Sequence, residues 1–343
     1  MKNILITGGG APGAPGIINS VKSEYPDLTI FSCDFQDVTA GKFLADYYFT
    51  VPLGSDANYS ETLLQLCTEN DIEIVLPITT RELTPLSQAK DKFKSKGIHV
   101  LVSDQKPLDI ANNKGTLYAH LTNYGIQVPR FKTAQNYDEY LEAKKHVQKN
   151  NDRFIIKPCV GNGSRGFRII DSTTDRFDLL FNYKPNSTFI QENELDSLLQ
   201  QNKFPEIVVS EYLPGDEYTV DCLVHQGDAK LIVPRKREKM NNGISVSGTI
   251  ENNSKVISYC KKILAAIDLH GPIGIQVKYS SNNEPVLVEI NPRIQGTTVA
   301  CIGAGVNIPA LCFQDFSTLK QSGIDIKWGT KFIRYYSELY FEH

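Results

Sequence analysis

The chain has 343 residues, of which 41% are apolar and 22% charged, with a net charge of −3. That balance describes a globular protein with a sizeable core and excludes the strongly basic surface of a nucleic-acid or membrane-surface binder. No apolar run reaches the ~18 residues a membrane helix needs, and Met1–Thr7 reads as a short strand rather than as a secretory leader. The seven cysteines form no C-x-x-C pair, and the six histidines do not cluster with them. This points to reduced buried thiols in a cytoplasmic protein, without a zinc site.

In chain order, β-branched runs at Ile4–Thr7, Thr29–Cys33, Tyr48–Val51, Ile72–Ile78 and His99–Val102 alternate with helical patterns at about 17–24, 60–69 and 82–96. Such alternation predicts a parallel, Rossmann-like α/β domain over residues 1–110. A second unit, 111–190, opens with a helix over Asn113–Tyr124. Its apolar face is Leu117, Leu121 and Tyr124, and Gly125 stops it. A helix at Tyr137–Val147 follows, then strands Phe154–Lys157 and Phe167–Ile170 around a glycine-rich turn. The polar stretch Asn193–Pro205 reads as a surface segment. The third unit, 191–343, is expected to be an antiparallel sheet. Its strands lie near Ile207–Glu211, Glu217–His225, Lys230–Arg235, Ile273–Tyr279 and Val286–Asn291, with an amphipathic helix over Ser254–Asp268.

Chemistry-bearing residues gather in five places. In Val286–Arg293, alternation puts Glu289 and Asn291 on one face, two oxygen donors suited to a hard cation such as Mg²⁺. Gln276 faces the same way from the preceding strand, and Arg293 suits a phosphate oxygen. A solvated sheet face gives the same pattern. Lys157 ends a strand before Gly161, Gly163, Ser164 and Gly166, a loop able to offer N–H groups to phosphates. It is not a Walker A loop, because no G-K-[ST] follows, and an ordinary hairpin turn also fits. Across 210–221, a linker after Glu211 exposes backbone at Tyr212 and Leu213 able to read an adenine edge. Glu217 can hold ribose hydroxyls from the next strand, and an acidic hairpin is the plain alternative.

Near the N-terminus, Gly8, Gly10 and Gly13 spell G-x-G-x-x-G, with Asp34 ending the second strand. Pro12 and Pro15 remove two N–H groups from that loop. It suits a loop that packs closely or holds an acceptor better than one that holds a dinucleotide. Arg235, Arg237 and Lys239 precede a Gly/Ser/Asn-rich stretch, Asn241–Gly248, and can hold an anionic substrate or form a solvated basic run.

The order Asn113-Lys114-Gly115, Lys157 with its glycine loop, E-Y-L-P-G-x-E-Y-T-V-D, Gln276 and E-I-N-P-R resembles the ATP-grasp superfamily. It looks most like the group around the carbamoyl-phosphate synthase large subunit and the carboxylate–amine ligases. The resemblance runs over about residues 1–312. It implies an ATP-grasp fold with an N-terminal Rossmann-like domain, a small central lid and a C-terminal antiparallel-sheet domain. It further implies Lys114 and Lys157 on the α- and β-phosphates, and Gly161, Gly163, Ser164 and Gly166 closing over the β- and γ-phosphates. Glu211 and the backbone of Tyr212 and Leu213 would meet adenine, with Glu217 at the ribose. Gln276, Glu289 and Asn291 would bind Mg²⁺, or Mn²⁺ in its place, with Arg293 at the γ-phosphate and the acyl phosphate. Gln276 stands where many relatives carry a carboxylate, which lowers the charge of that site.

The implied activity is an ADP-forming ligase. It would activate a small carboxylate as an acyl phosphate and couple it to an amine or other nucleophile. Phosphorylation of bicarbonate or carbamate, and an NAD-dependent oxidoreductase built on the N-terminal glycine loop, are the competing readings. The sequence leaves oligomeric state open, a homodimer included, and does not name the substrates.

Overall fold

The computed structural model describes residues 2–148, 153–161, 163, 165–182, 188–241 and 243–341. The chain divides into two compact units. One comprises Met1–Asp109, Glu217–Val277 and Ile290–His343, the other Ile110–Asp216 and Lys278–Glu289.

The first unit begins with β1 (Asn3–Thr7), α1 (Ala14–Glu24), β2 (Thr29–Asp34), α2 (Ala40–Leu44), β3 (Tyr47–Thr50), α3 (Tyr59–Glu69), β4 (Ile74–Leu76), α4 (Leu83–Ser95) and β5 (His99–Val100). The strands form a sheet in the order β3-β2-β1-β4-β5, parallel throughout. The centre of β1, Ile4–Ile6, is apolar on both faces because helices cover both of them. Ile4 and Ile6 pack in one cluster with Ile17, Ile18 and Val21 of α1. Leu5, one residue out of phase, packs in another with Leu63 of α3 and Phe93 of α4. The chain winds outward to β3 and then returns to β4, so the switch point of this sheet lies between β1 and β4.

After α5 (Gln105–Asn112), the second unit contains α6 (Lys114–Asn123), β6 (Phe131–Ala134), α7 (Tyr137–Val147), β7 (Arg153–Pro158), β8 (Arg168–Asp171), α8 (Arg176–Asn182), β9 (Phe189–Ile190), α9 (Glu192–Gln201) and β10 (Ile207–Glu211). Asn113 caps α6 by accepting from the Thr116 N–H, and Asn136 caps α7 by accepting from the Glu139 N–H. Each cap satisfies an orphan donor of the first turn. The sheet order is β6-β10-β7-β8-β9.

One expectation is refined here and another changes. The polar stretch after residue 192 is a helix, α9, whose Leu195 is buried on the sheet cluster; its glutamines and asparagines cover the exposed face. β10, expected in the last unit, lies between β6 and β7 and pairs antiparallel with both. A strand's partners are set by long-range hydrogen bonds that local pattern does not carry.

The chain returns to the first unit through β11 (Glu217–His225), β12 (Asp228–Asn241), β13 (Ile244–Ile250), α10 (Ser254–Ala266), β14 (Gly271–Tyr279), β15 (Pro285–Asn291), α11 (Ile308–Leu311) and β16 (Lys331–Ile333). Its sheet runs β15-β14-β11-β12-β13-β16, and the division between the units falls inside β14 and β15. The Gly/Ser/Asn-rich stretch 241–248 is mostly strand: β12 runs to Asn241 and β13 restarts at Ile244. All seven cysteines are buried thiols. Among the described residues, no helix is long and apolar enough to cross a membrane.

Candidate active site

In the second unit, Lys114 and Lys157 are each only 6% exposed. Lys114 is the first residue of α6, and its backbone N–H donates to Cys159 O at 2.9 Å. That bond draws the side chain to the glycine loop. Its Nζ donates to Gly161 O at 2.8 Å and lies 3.6 Å from Glu289 Oε2. On β7, Phe154 and Ile156 pack into the core cluster. Alternation turns Lys157 to the opposite face. There its Nζ donates to the Tyr118 hydroxyl and to Val288 O, both at 2.8 Å. Tyr118 OH itself donates to Val288 O at 2.7 Å. Burying an ammonium costs several kcal/mol unless oxygens or anions compensate it; here carbonyl and hydroxyl oxygens surround both lysines, and Glu289 lies beside Lys114.

The loop after β7 needs its glycines. Gly163 and Gly166 have φ of +65° and +74°, and a Cβ on Gly166 would lie 2.6 Å from Pro158 Cγ. Ser164 lies outside the described residues. α6 shows a missed residue: Leu117, Tyr118 and Leu121 are fully buried, whereas Tyr124 is 62% exposed. The inward tyrosine is therefore Tyr118, and its helical position alone does not reveal the hydroxyl contact with Lys157.

At the linker, Glu211 is held by Arg130: it accepts from the Arg130 N–H at 2.8 Å and lies 3.3 Å from Nη2. The Tyr212 ring has Lys278 Nζ at 5.2 Å and the Arg153 guanidinium at 5.9 Å. Leu213 is buried. Gly215 donates to Tyr279 O at 2.9 Å, and a Cβ there would lie 2.6 Å from Tyr279 Cβ.

In the first unit, Glu217 is paired with Arg237, whose Nη2 also donates to Gly243 O and whose Nε donates to Ser245 Oγ at 3.1 Å. Arg237 thus ties the β12–β13 turn down. Arg235, expected at an anionic substrate, is instead 1% exposed. Its Nε donates to Asp221 Oδ2 at 2.6 Å, and the guanidinium lies 6.0 Å from the Phe332 ring. β12 reaches further than the sequence suggested, which leaves Arg235 inside the sheet rather than at its rim. Gln276 on β14 is half-buried between fully buried Ile275 and Val277. Glu289 and Asn291 are half-buried two residues apart on β15. Arg293 donates from Nε to Thr80 Oγ1 at 3.0 Å and from Nη1 to Ile294 O at 2.9 Å.

Among the described residues, no three His, Cys, Asp or Glu side chains gather as a metal cluster. The Gln276, Glu289 and Asn291 set offers one carboxylate and two amide carbonyls, hard oxygens that fit Mg²⁺.

The N-terminal glycine loop spends its N–H groups internally. Gly9 donates to Cys33 O, Ala11 to Gly8 O, and Gly10 to Asp34 Oδ2 at 2.9 Å. Asp34 also accepts from the Gln36 N–H at 3.1 Å. Gly13 is glycine for space: a Cβ there would lie 2.4 Å from Gly296 Cα.

Residues 203–332 match the family described as ATP-grasp in the biosynthetic pathway with Ter operon, and residues 4–101 match the PylC-like N-terminal domain. The C-terminal part of the chain thus matches an ATP-grasp model. The chain is 21% identical over 296 residues to the carbamoyl phosphate synthase large chain of Sulfurisphaera tokodaii, covering 81% of this chain and 25% of that one. It therefore spans about a quarter of that relative's length. Its fold matches an ADP complex of N5-carboxyaminoimidazole ribonucleotide synthetase with a TM-score of 0.70 at 14% identity, covering 96% of this chain and 80% of that one. It also matches an L-amino acid ligase from Bacillus licheniformis with a TM-score of 0.64 at 16% identity, covering 94% and 76%. The chain thus has the mixed α/β fold of these ligases, with a parallel N-terminal sheet and an antiparallel C-terminal one.

Proposed function

We propose that this protein is an ATP- and Mg²⁺-dependent, ADP-forming ligase that joins a small carboxylate to an amine or other nucleophile. The observation that carries the reading is the meeting of buried Lys114 and Lys157 with the glycine loop and with the strand bearing Glu289. In the proposed assignment, both lysines and the Gly161–Gly166 loop hold the phosphates. Tyr212 and Leu213 border the adenine, and Glu217 lies near the ribose. Gln276, Glu289 and Asn291 hold Mg²⁺, which would supply charge neutralisation between phosphate oxygens. Arg293 steadies the γ-phosphate.

A carboxylate oxygen attacks the γ-phosphorus and the bond to ADP breaks, giving an acyl phosphate. An amine then attacks the acyl carbon, phosphate leaves, and the amine's proton is released. The first step brings two anions together and the second expels phosphate, so fixed positive groups provide most of the catalysis. No nucleophilic serine or cysteine is required. The cysteine thiols are buried, and burial raises the Cys159 and Cys67 thiols to about 12, which leaves them inert at neutral pH. Buried thiols also support a reducing, cytoplasmic location.

The second reading, in which bicarbonate is the carboxylate, is favoured by the carbamoyl phosphate synthase relative. The glycine-loop N–H groups already engaged at Cys33, Asp34 and Gly8 speak against a dinucleotide there. The test is ADP and phosphate release from MgATP, with small carboxylates and bicarbonate crossed against amines, in wild type and Glu289→Ala. Release that needs one pair and vanishes in the variant supports the ligase. Release with bicarbonate alone selects the second reading, and NADH binding without ATP binding overturns both.

A further inference from the structure

Arg293 is held by a loop of the Rossmann-like sheet, and that loop is itself locked from beneath. Residues 77–82 leave the carboxyl end of β4 next to the switch point. Glu82, 2% exposed, closes the loop. Its Oε1 accepts from the Thr79 N–H at 2.7 Å, and its Oε2 accepts from the Tyr59 hydroxyl at 2.6 Å. Gly54 leaves room for this arrangement, since a Cβ there would lie 3.1 Å from the Glu82 backbone nitrogen. Between Thr79 and Glu82 stands Thr80, half-buried, with its Oγ1 on Arg293 Nε at 3.0 Å. Ile294 O takes Nη1 at 2.9 Å.

A guanidinium is planar, so two acceptors from two segments fix both its position and the tilt of its plane. A solvated arginine would sample many rotamers, and a phosphate contact made by it would have to order the side chain at each turnover. The Glu82 clamp matters because a hydroxyl on a loose loop would fix nothing.

Resting on the ligase reading above, we infer that Thr80 is a positioning residue for Arg293. Through it, the β4 loop of the N-terminal sheet sets the orientation of the guanidinium assigned to the transferring phosphate. Thr80 touches no reacting atom in this scheme; it acts through Arg293. Displacing a positioned group by about 1 Å is enough for losses on the order of 100-fold in rate.

The experiment compares Thr80→Val, which keeps shape and removes the acceptor, with Thr80→Ser, which keeps the acceptor, in the full chain. Two readouts are taken: kcat and KM for MgATP in ADP release, and solvent exchange of the Arg293 Nε–H by ¹⁵N NMR, assigned with Arg293→Lys. The expected result is a roughly 10- to 100-fold fall in kcat for Thr80→Val with KM for ATP within about threefold. Thr80→Ser should stay near wild type. The Nε–H should exchange slowly in wild type and Thr80→Ser and quickly in Thr80→Val. Equal losses in both variants would mean packing, not positioning, and would overturn the inference, as would an unchanged kcat in Thr80→Val. Should wild type turn over no substrate pair, the ligase reading fails on its own, and the exchange readout decides the anchor: identical exchange in all three proteins overturns it.

Discussion

The Lys157 ammonium and the Tyr118 hydroxyl meet at 2.8 Å, and both bond the same carbonyl oxygen, Val288 O. The lysine comes from a strand, the tyrosine from a helix, and the carbonyl from the strand that carries Glu289. Removing the hydroxyl while keeping the ring takes one hydrogen bond from Lys157, worth about 1 kcal/mol. Tyr118→Phe should therefore fold normally and bind MgATP roughly fivefold more weakly. Lys157→Met should weaken binding or turnover by about 100-fold, as loss of a charge-assisted contact requires. Nucleotide titration by calorimetry on the three proteins checks both; equal affinity in wild type and Lys157→Met would remove Lys157 from the phosphate site.

Arg235 and Asp221 form a pair with side chains 1% and 4% exposed. Taking away one partner leaves an uncompensated buried charge, at a cost of about 3–5 kcal/mol. Asp221→Ala should show that loss in urea denaturation, while the double variant Asp221→Leu/Arg235→Met should recover most of it. If Asp221→Ala instead kept full stability and lost substrate affinity, Arg235 would be a ligand group after all.

Gly13 offers a packing test. Its added methyl would run into the Gly296 backbone at 2.4 Å, and overpacking of that kind costs about 1–3 kcal/mol. Gly13→Ala should lower the urea midpoint accordingly. Gly323→Ala, where nothing lies within 4 Å, should change stability by less than about 0.5 kcal/mol.

His270 sets an acid limit on stability. Burial first, then the charges of Lys90 and His225, depress its pKa to about 4, against the opposing pull of Asp104 and Asp268. The unfolded chain titrates this group near 6.5, so between about 6.5 and 4 the unfolded state binds more protons than the folded one. The stabilising share of His270 is thus complete above 6.5, falls as pH drops through that window, and is gone below about 4. His270→Phe should flatten the pH dependence of the urea midpoint over that window. An unchanged slope would show that other groups set it.

Much of the fold was legible because it rests on local periodicity. Apolar-rich, β-branched runs at Ile4–Thr7 and Thr29–Cys33 announce strands of a parallel sheet, and Asn113 announces a helix start. Alternation alone put Glu289 and Asn291 on one face of β15. The chain order of these motifs carried the family resemblance. Each of these signals lies within a few residues of its own cause.

What the sequence by itself determined, then, was most of the strands and helices, which glycines mark turns, and which side chains are candidates for the chemistry. Tertiary structure alone decided what those side chains touch. It placed β10 between β6 and β7, turned Asp34 onto the Gly10 amide, and sank Arg235 into a pair with Asp221. It joined Arg293 to Thr80 across 213 residues and Tyr118 to Val288 across 170. The physical reason is the same in each case. A buried charge or an unpaired N–H must find a partner somewhere in the fold, and the local pattern states the need without naming the partner.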